Sequence, residues 1–474
     1  MTDSSAFLVF FLLMCAFIGS LSMLALALRR RIDARHKTWN PLAGPRHTVD
    51  AAYSKTPKRL GAVVAEAVAK ELKSFSGLLS ELIAVRGWAW CMGRRLPVAV
   101  ALLVGIVLFL RFVRTDYPIS GDELITAGWS EPGQVLESYR FGHNVPLPPM
   151  VDIFVTSIFG DGVFGHRLMP TLVGAAAVIL FYLLLRYILS ENPGQALALG
   201  FIAGTNLLLL HYSHEVGPYA YVLLFALTSF YVGYRVFVTQ DAGWWAALLL
   251  AVVFALWPLT HYLAWLHMVA LFVALGASAF LFGTLTLAAL CRMALLGLVV
   301  LLAYVPWADG AWAYGASQLA YASDSNAVLG SAVPVIRQGL TLTGGNNGWA
   351  EILLAWLVVA GASAGIVMFA LSLSGRIELR PFDRFVVVML VYVVVFLGLY
   401  SWRPPSEEFS AWRHILHLVW PMLIFATYAL HKLASVTGPM RVWRQDLVSL
   451  LVAALVVSNL IGSTGYLLSN SRGI

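Results

Sequence analysis

Residues 168–189 read LMPTLVGAAAVILFYLLLRYIL, 22 residues with a single charge, Arg186, near the far end. About 20 apolar residues rising 1.5 Å each cross the hydrocarbon of a bilayer as a helix. A lone strand in lipid would leave its peptide groups unpaired, so helix is the local solution. The run has company. Further apolar runs lie near 97–113, 195–211, 218–238, 244–259, 262–282, 288–307, 350–372, 384–401, 414–431 and 446–468, and a first one, AFLVFFLLMCAFIGSLSMLALAL, covers 6–28. The expected fold is an all-α polytopic membrane bundle of about 12 transmembrane helices.

Composition agrees. Of 474 residues 60% are apolar and only 12% charged, with a mean hydropathy of +0.80. A soluble domain carries about twice that charge, and no polar stretch here is long enough to form one. The net charge of +7 is unevenly spread: segment 29–95 holds 14 Lys and Arg against 5 Asp and Glu, so the remainder is slightly acidic. That is a positive-inside signal suited to anionic lipid rather than nucleic acid. Cys15, Cys91 and Cys291 have no metal or redox spacing.

The cationic flank Arg29-Arg30-Arg31 follows the first run, which reads as an uncleaved anchor with its N-terminus outside. Pro41, Pro45 and Pro57 mark a linker, and the stripe Leu60, Val64, Val68, Leu72, Phe75, Leu79, Leu82 predicts an amphipathic helix on the cytoplasmic surface. Residues 1–95 therefore precede a core of 96–474. Threading the runs from this basic segment puts SGRIELRPFDR (374–384) and HKLASVTGPMRVWRQ (431–445) inside, both basic. It puts 114–167, 211–217, 259–262, 308–349 and 402–413 outside.

Four polar clusters then share the external side: GDEL (121–124), HYSHEVGPYA (211–220), LTHY (259–262) and Trp402 to His417. Each has a plain reading by itself. Asp122 and Glu123 could be solvated loop carboxylates, His261 an interfacial anchor, Arg413 a snorkelling residue, and the tyrosines part of an aromatic belt. Their convergence from runs far apart in sequence is what points to a site.

In order along the chain stand GDELITAGW (121–129), FGHNVPLPPMVDIF (141–154), FGHRLMPTLVGAAAVILFYLLLRYIL (164–189), HYSHEVGPYAYVLLF (211–225) and PLTHYLAWLHMVALF (258–272). Looser landmarks follow in RQGLTLTGGNNGWAEILLAWL (337–357) and AWRHILHLVWPMLIF (411–425). This series resembles the GT-C polytopic glycosyltransferases, in the branch of protein O-mannosyltransferases and lipid A aminoarabinose transferases. Gly217 departs from the pattern, standing where many relatives carry an arginine after the glutamate, and Gly142 stands where some have an aspartate.

The resemblance implies a GT-C helix bundle with external juxtamembrane helices, which moves one sugar from a polyprenyl-phosphate carrier to an acceptor hydroxyl, with inversion. An alcohol is a poor nucleophile and needs a positioned carboxylate to take its proton; by resemblance that base is Asp122, with Glu123 positioning the acceptor or a partner cation. The leaving phosphate gains charge and wants cations or donors, for which Arg413, His414 and His261 are candidates. Glu215, flanked by His214 and Tyr219, would orient these groups or hold a sugar hydroxyl; His143 and Tyr262 complete the implied donor-binding set. The carrier phosphate already activates the sugar, so no cofactor or obligatory metal is expected. Implied partners are the lipid-linked donor, a glycan, lipid or protein acceptor and membrane lipids, without nucleic acid. The setting would be a bacterial inner membrane with the site on the periplasmic side. The alternatives are an O-antigen ligase or polymerase using a lipid diphosphate glycan, and a non-enzymatic transporter or flippase. The first would want an external loop rich in Arg and His, whereas 308–349 carries only Arg337. The second would want mid-span charges and repeated halves.

Overall fold

A computed structural model describes residues 95–112, 118–119, 123–140, 145–189, 193–242, 244–261, 264–307, 348–374, 376–400, 416–435 and 441–468. The expectations for 1–94 and for the loop 308–347 lie outside the described residues. From Val100 onward the chain forms one compact unit.

Among the described residues every regular element is helical. In chain order they are α1 (Arg95–Phe112), α2 (Glu123–Ala127), α3 (Pro132–Arg140), α4 (Leu147–Phe159), α5 (Val163–Ile188), α6 (Pro193–Thr205), α7 (Leu207–His214) and α8 (Tyr219–Gly233). Then come α9 (Trp244–Leu256), α10 (Ala264–Leu281), α11 (Leu287–Tyr304), α12 (Gly348–Leu373), α13 (Pro381–Tyr400), α14 (Val419–Ser435) and α15 (Arg441–Leu468). A π-turn, Tyr234–Val238, prolongs α8, and single 3₁₀ turns extend α9 and precede α14. Each apolar run after residue 96 has thus become a helix or a helix pair. Among the described residues six helices are long and apolar enough to cross a membrane, seven with one bent pair.

That pair is where the fold departs from the sequence reading. The run 195–211 reads as a single candidate span; the chain turns by 54° within it, between α6 and α7. Asn206 is the cause. Its backbone is extended, and its side chain accepts from the Leu209 N–H at 3.1 Å, capping α7 as a new helix. A break inside lipid frees carbonyls that must find donors. Arg111, fully buried at the end of α1, donates to the Gly204 carbonyl at 3.2 Å and to the Ser213 hydroxyl, also at 3.2 Å. A charged side chain from one helix therefore mends the break in another.

α5 packs against α6, α7 and α8; α10 lies on α13, and α12 on α14. Small residues permit the closest approaches. A Cβ at Gly174 would collide with Ser213, and one at Gly361 with the Phe425 carbonyl. Polar links tie the bundle where hydrophobic contact with lipid gives no preference. Trp420 donates to the Leu223 carbonyl at 2.8 Å, and His267, fully buried on α10, lies 2.5 Å from the Tyr392 hydroxyl and 3.3 Å from that of Ser229.

The two ends of α8 define the two ends of the bundle. At one, Arg235 pairs with Asp241 at 3.0 Å, and Tyr234 donates to the Pro381 carbonyl. Pro381 begins α13, where Asp383 holds Lys432 at 2.7 Å and accepts from Tyr428 at 2.6 Å. At the other end, the turn before Tyr219 meets α2 and the start of α5. Nearby, α3 is pinned by Tyr139, whose hydroxyl lies 2.9 Å from that of Tyr304.

Candidate active site

The site begins with a short helix. α2 opens at Glu123, and although the carboxylate sits in a loop region, it is only 8% exposed. A buried carboxylate demands partners, and two arrive from distant segments. Arg167, on the first turns of α5 and 4% exposed, places Nη2 3.1 Å from Oε1 and 3.0 Å from Oε2. The Val216 N–H donates to Oε1 at 2.9 Å. Arg167 also donates to the Pro118 carbonyl at 3.2 Å, closing the loop ahead of α2. One ion pair thus joins the acidic pair's segment, the start of α5 and the 214–219 turn. Asp122 is the residue immediately before this anchor.

The 214–219 turn is shaped by its own residues. α7 stops at His214, Glu215 is extended, and Gly217-Pro218 restarts the chain as α8, proline being suited to a helix opening. His214 donates from Nε2 to the Arg111 carbonyl at 2.8 Å, which fixes its tautomer and points it back into the bundle. It is His211, one helical turn earlier, that approaches the Glu215 carboxylate, at 3.7 Å. Rings continue the line: His211 against Tyr212 (4.9 Å between centroids), Tyr212 against Tyr219 (4.8 Å) and Tyr219 against His261 (6.4 Å).

A second polar cluster lies beside the first. His166, next to Arg167 on α5, has Nδ1 2.7 Å from Asp152 Oδ2 and Nε2 2.9 Å from Asp161 Oδ1. Asp152, on α4, is buried, whereas the Asp161 side chain is 89% exposed. Burial pushes the Asp152 carboxyl up to about 6, with His166 acting against that rise. The imidazole therefore staples α4, the 160–162 turn and α5, directly alongside the arginine that holds Glu123.

Of the residues singled out in the sequence, Glu123, His214, Glu215, Tyr219 and His261 are described, and all five surround the 214–219 turn. Asp122, His143, Tyr262, Arg413 and His414 lie outside the described residues. Glu215, flanked in sequence by His214 and Tyr219, approaches His211, because an i to i+4 spacing stacks side chains along a helix. Arg167, Arg111, Asp152 and His166 went unassigned in the sequence. Arg167 and His166 stand in the quoted FGHRLMP stretch, but nothing there shows what they meet.

Residues 143–308 match the family model described as dolichyl-phosphate-mannose-protein mannosyltransferase. Among solved structures the fold is similar to that of ArnT from Cupriavidus metallidurans in the apo state, at 13% identity and a TM-score of 0.52, over 81% of this chain and 77% of that one. No curated protein matches the chain. The helical architecture is thus similar in fold to that of ArnT, and residues 143–308 resemble the protein mannosyltransferase family.

Proposed function

We propose that the chain transfers one sugar from a polyprenyl-phosphate carrier to an acceptor hydroxyl, with inversion, on the external face of the membrane, and that Asp122 is the general base. The observation that carries this reading is the buried Glu123–Arg167 pair: it gathers α2, α5 and the 214–219 turn around the residue that follows Asp122. Such an anchor holds a neighbouring base in place while an alcohol attacks, and one carboxylate on the attacking side suffices for a single inverting displacement. The matching family's description names dolichyl-phosphate mannose, a donor in which phosphate is the leaving group. Arg413, His414 and His261 are assigned to the phosphate as its charge grows. His143, Tyr262, Glu215, His214 and Tyr219 serve donor binding directly or by orienting these groups. The polyprenyl tail lies between helices, and the reading asks no metal to activate the sugar.

The assignment of the external face is supported by charge. At the end of α8 away from the site lie Arg235, the start of α13 with Arg384, and Lys432 on α14, residues of the basic stretches read as cytoplasmic.

The test is mass spectrometry of cell-envelope glycans from cells with and without the protein. The expected result is the loss of a single sugar residue from one class of glycan, lipid or protein. Identical spectra, in cells where the protein is otherwise made, would reject the transferase reading.

A further inference from the structure

One helical turn along α2 from Glu123, Thr126 forms part of the wall of a small open pocket whose other walls come from α4, α5, α8 and the turn before α8. Pro148 and Pro170 make part of it apolar. Two buried side chains make the rest polar. Asp152 is 5% exposed, and while His166 takes its Oδ2, its Oδ1 makes no hydrogen bond among the described residues. Tyr221, on α8, is 4% exposed, and its hydroxyl makes none among the described residues either. Both residues line the open pocket, so an acceptor and a donor there are available to a group that enters it.

The free space, about 10 Å³, takes one water-sized group. An alcohol fits both the volume and the chemistry: its O–H donates to the carboxylate, and its oxygen accepts from the phenol. The carboxylate is also pre-set. His166 holds Asp152, and Asp161 holds His166 from the exposed side, so the acceptor oxygen is fixed before anything binds. Gly217 contributes backbone alone to its wall.

We propose that Asp152 Oδ1 and the Tyr221 hydroxyl form a subsite that binds one hydroxyl group of a substrate, carried by the donor sugar or by the acceptor. This rests on the transferase reading, and it adds a determinant of which hydroxylated substrate is accepted. A site built to hydrogen-bond an alcohol rejects an analogue lacking it, since the buried partners are then left unpaired.

The experiment uses the full chain in detergent, with Tyr221→Phe as the mild variant, because it removes only the phenol oxygen, and Asp152→Asn as the stronger one. Two quantities are compared with wild type: the ratio of affinities for polyprenyl phosphate mannose and bare polyprenyl phosphate, and the concentration of native envelope lipids and glycans giving half-maximal transfer. A fall of five-fold or more in the affinity ratio assigns the subsite to the donor sugar. An unchanged ratio with a five-fold or greater rise in the half-maximal acceptor concentration assigns it to the acceptor. Both quantities within two-fold of wild type in Tyr221→Phe would overturn the subsite. Absence of turnover by the wild type would count against the transferase reading instead, and the affinity ratio alone would then decide the subsite.

Discussion

Asp122→Asn is expected to abolish sugar transfer while leaving expression and membrane insertion intact. Asparagine keeps the shape of the side chain but cannot take a proton, and a positioned base is worth about 10²–10⁴ in rate. The neighbouring carboxylate cannot stand in for it. Glu123 is committed to Arg167 and the Val216 N–H, and adjacent side chains diverge whether the backbone is helical or extended. Transfer measured in membranes carrying equal amounts of the two proteins decides the matter. Turnover by Asp122→Asn close to wild type would remove Asp122 from the role of base.

Arg167→Met is expected to cost both stability and activity. It removes the counter-charge from a carboxylate at 8% exposure, and breaking a buried ion pair by removing one partner costs about 3–5 kcal/mol. Glu123→Gln should cost less, since the amide retains an oxygen for the Val216 N–H, yet it removes the charge of the Glu123–Arg167 pair. Because the two residues act on each other, the double variant Glu123→Gln, Arg167→Met should lose much less stability than the two single losses added together. Thermal unfolding of the purified chain measures this coupling. Strict additivity would show that the contact at 3.0 Å carries no coupling energy.

The bundle was legible where the chemistry of lipid leaves one choice. Eleven apolar runs from residue 97 onward became helices, because an unpaired backbone in hydrocarbon is costlier than any local preference. The break at Asn206 was hidden: one asparagine in an apolar run does not announce a cap, and the break is sustained by Arg111, which is 93 residues from the carbonyl it satisfies. The site divides in the same way. The polar turns 211–220 and 259–262 announced themselves by standing between spans, and the structure joins them through Tyr219 and His261. Which side chains would pair was not readable. Glu123 and Arg167 are 44 residues apart, and no local pattern links them. Asp152 stands in the quoted stretch 141–154 with no partner visible there, and only the turn at 160–162 brings His166 to it and Asp161 to His166.

The most direct measurement follows both products of a single turnover. The purified chain, reconstituted with polyprenyl phosphate mannose labelled in the sugar and with native envelope lipids and glycans as acceptor, should pass the label to the acceptor and release polyprenyl monophosphate in equal amount, with both signals lost in Asp122→Asn. Release of a polyprenyl diphosphate from a diphosphate-linked glycan instead, or movement of labelled lipid across the bilayer with its sugar still attached, would contradict the account.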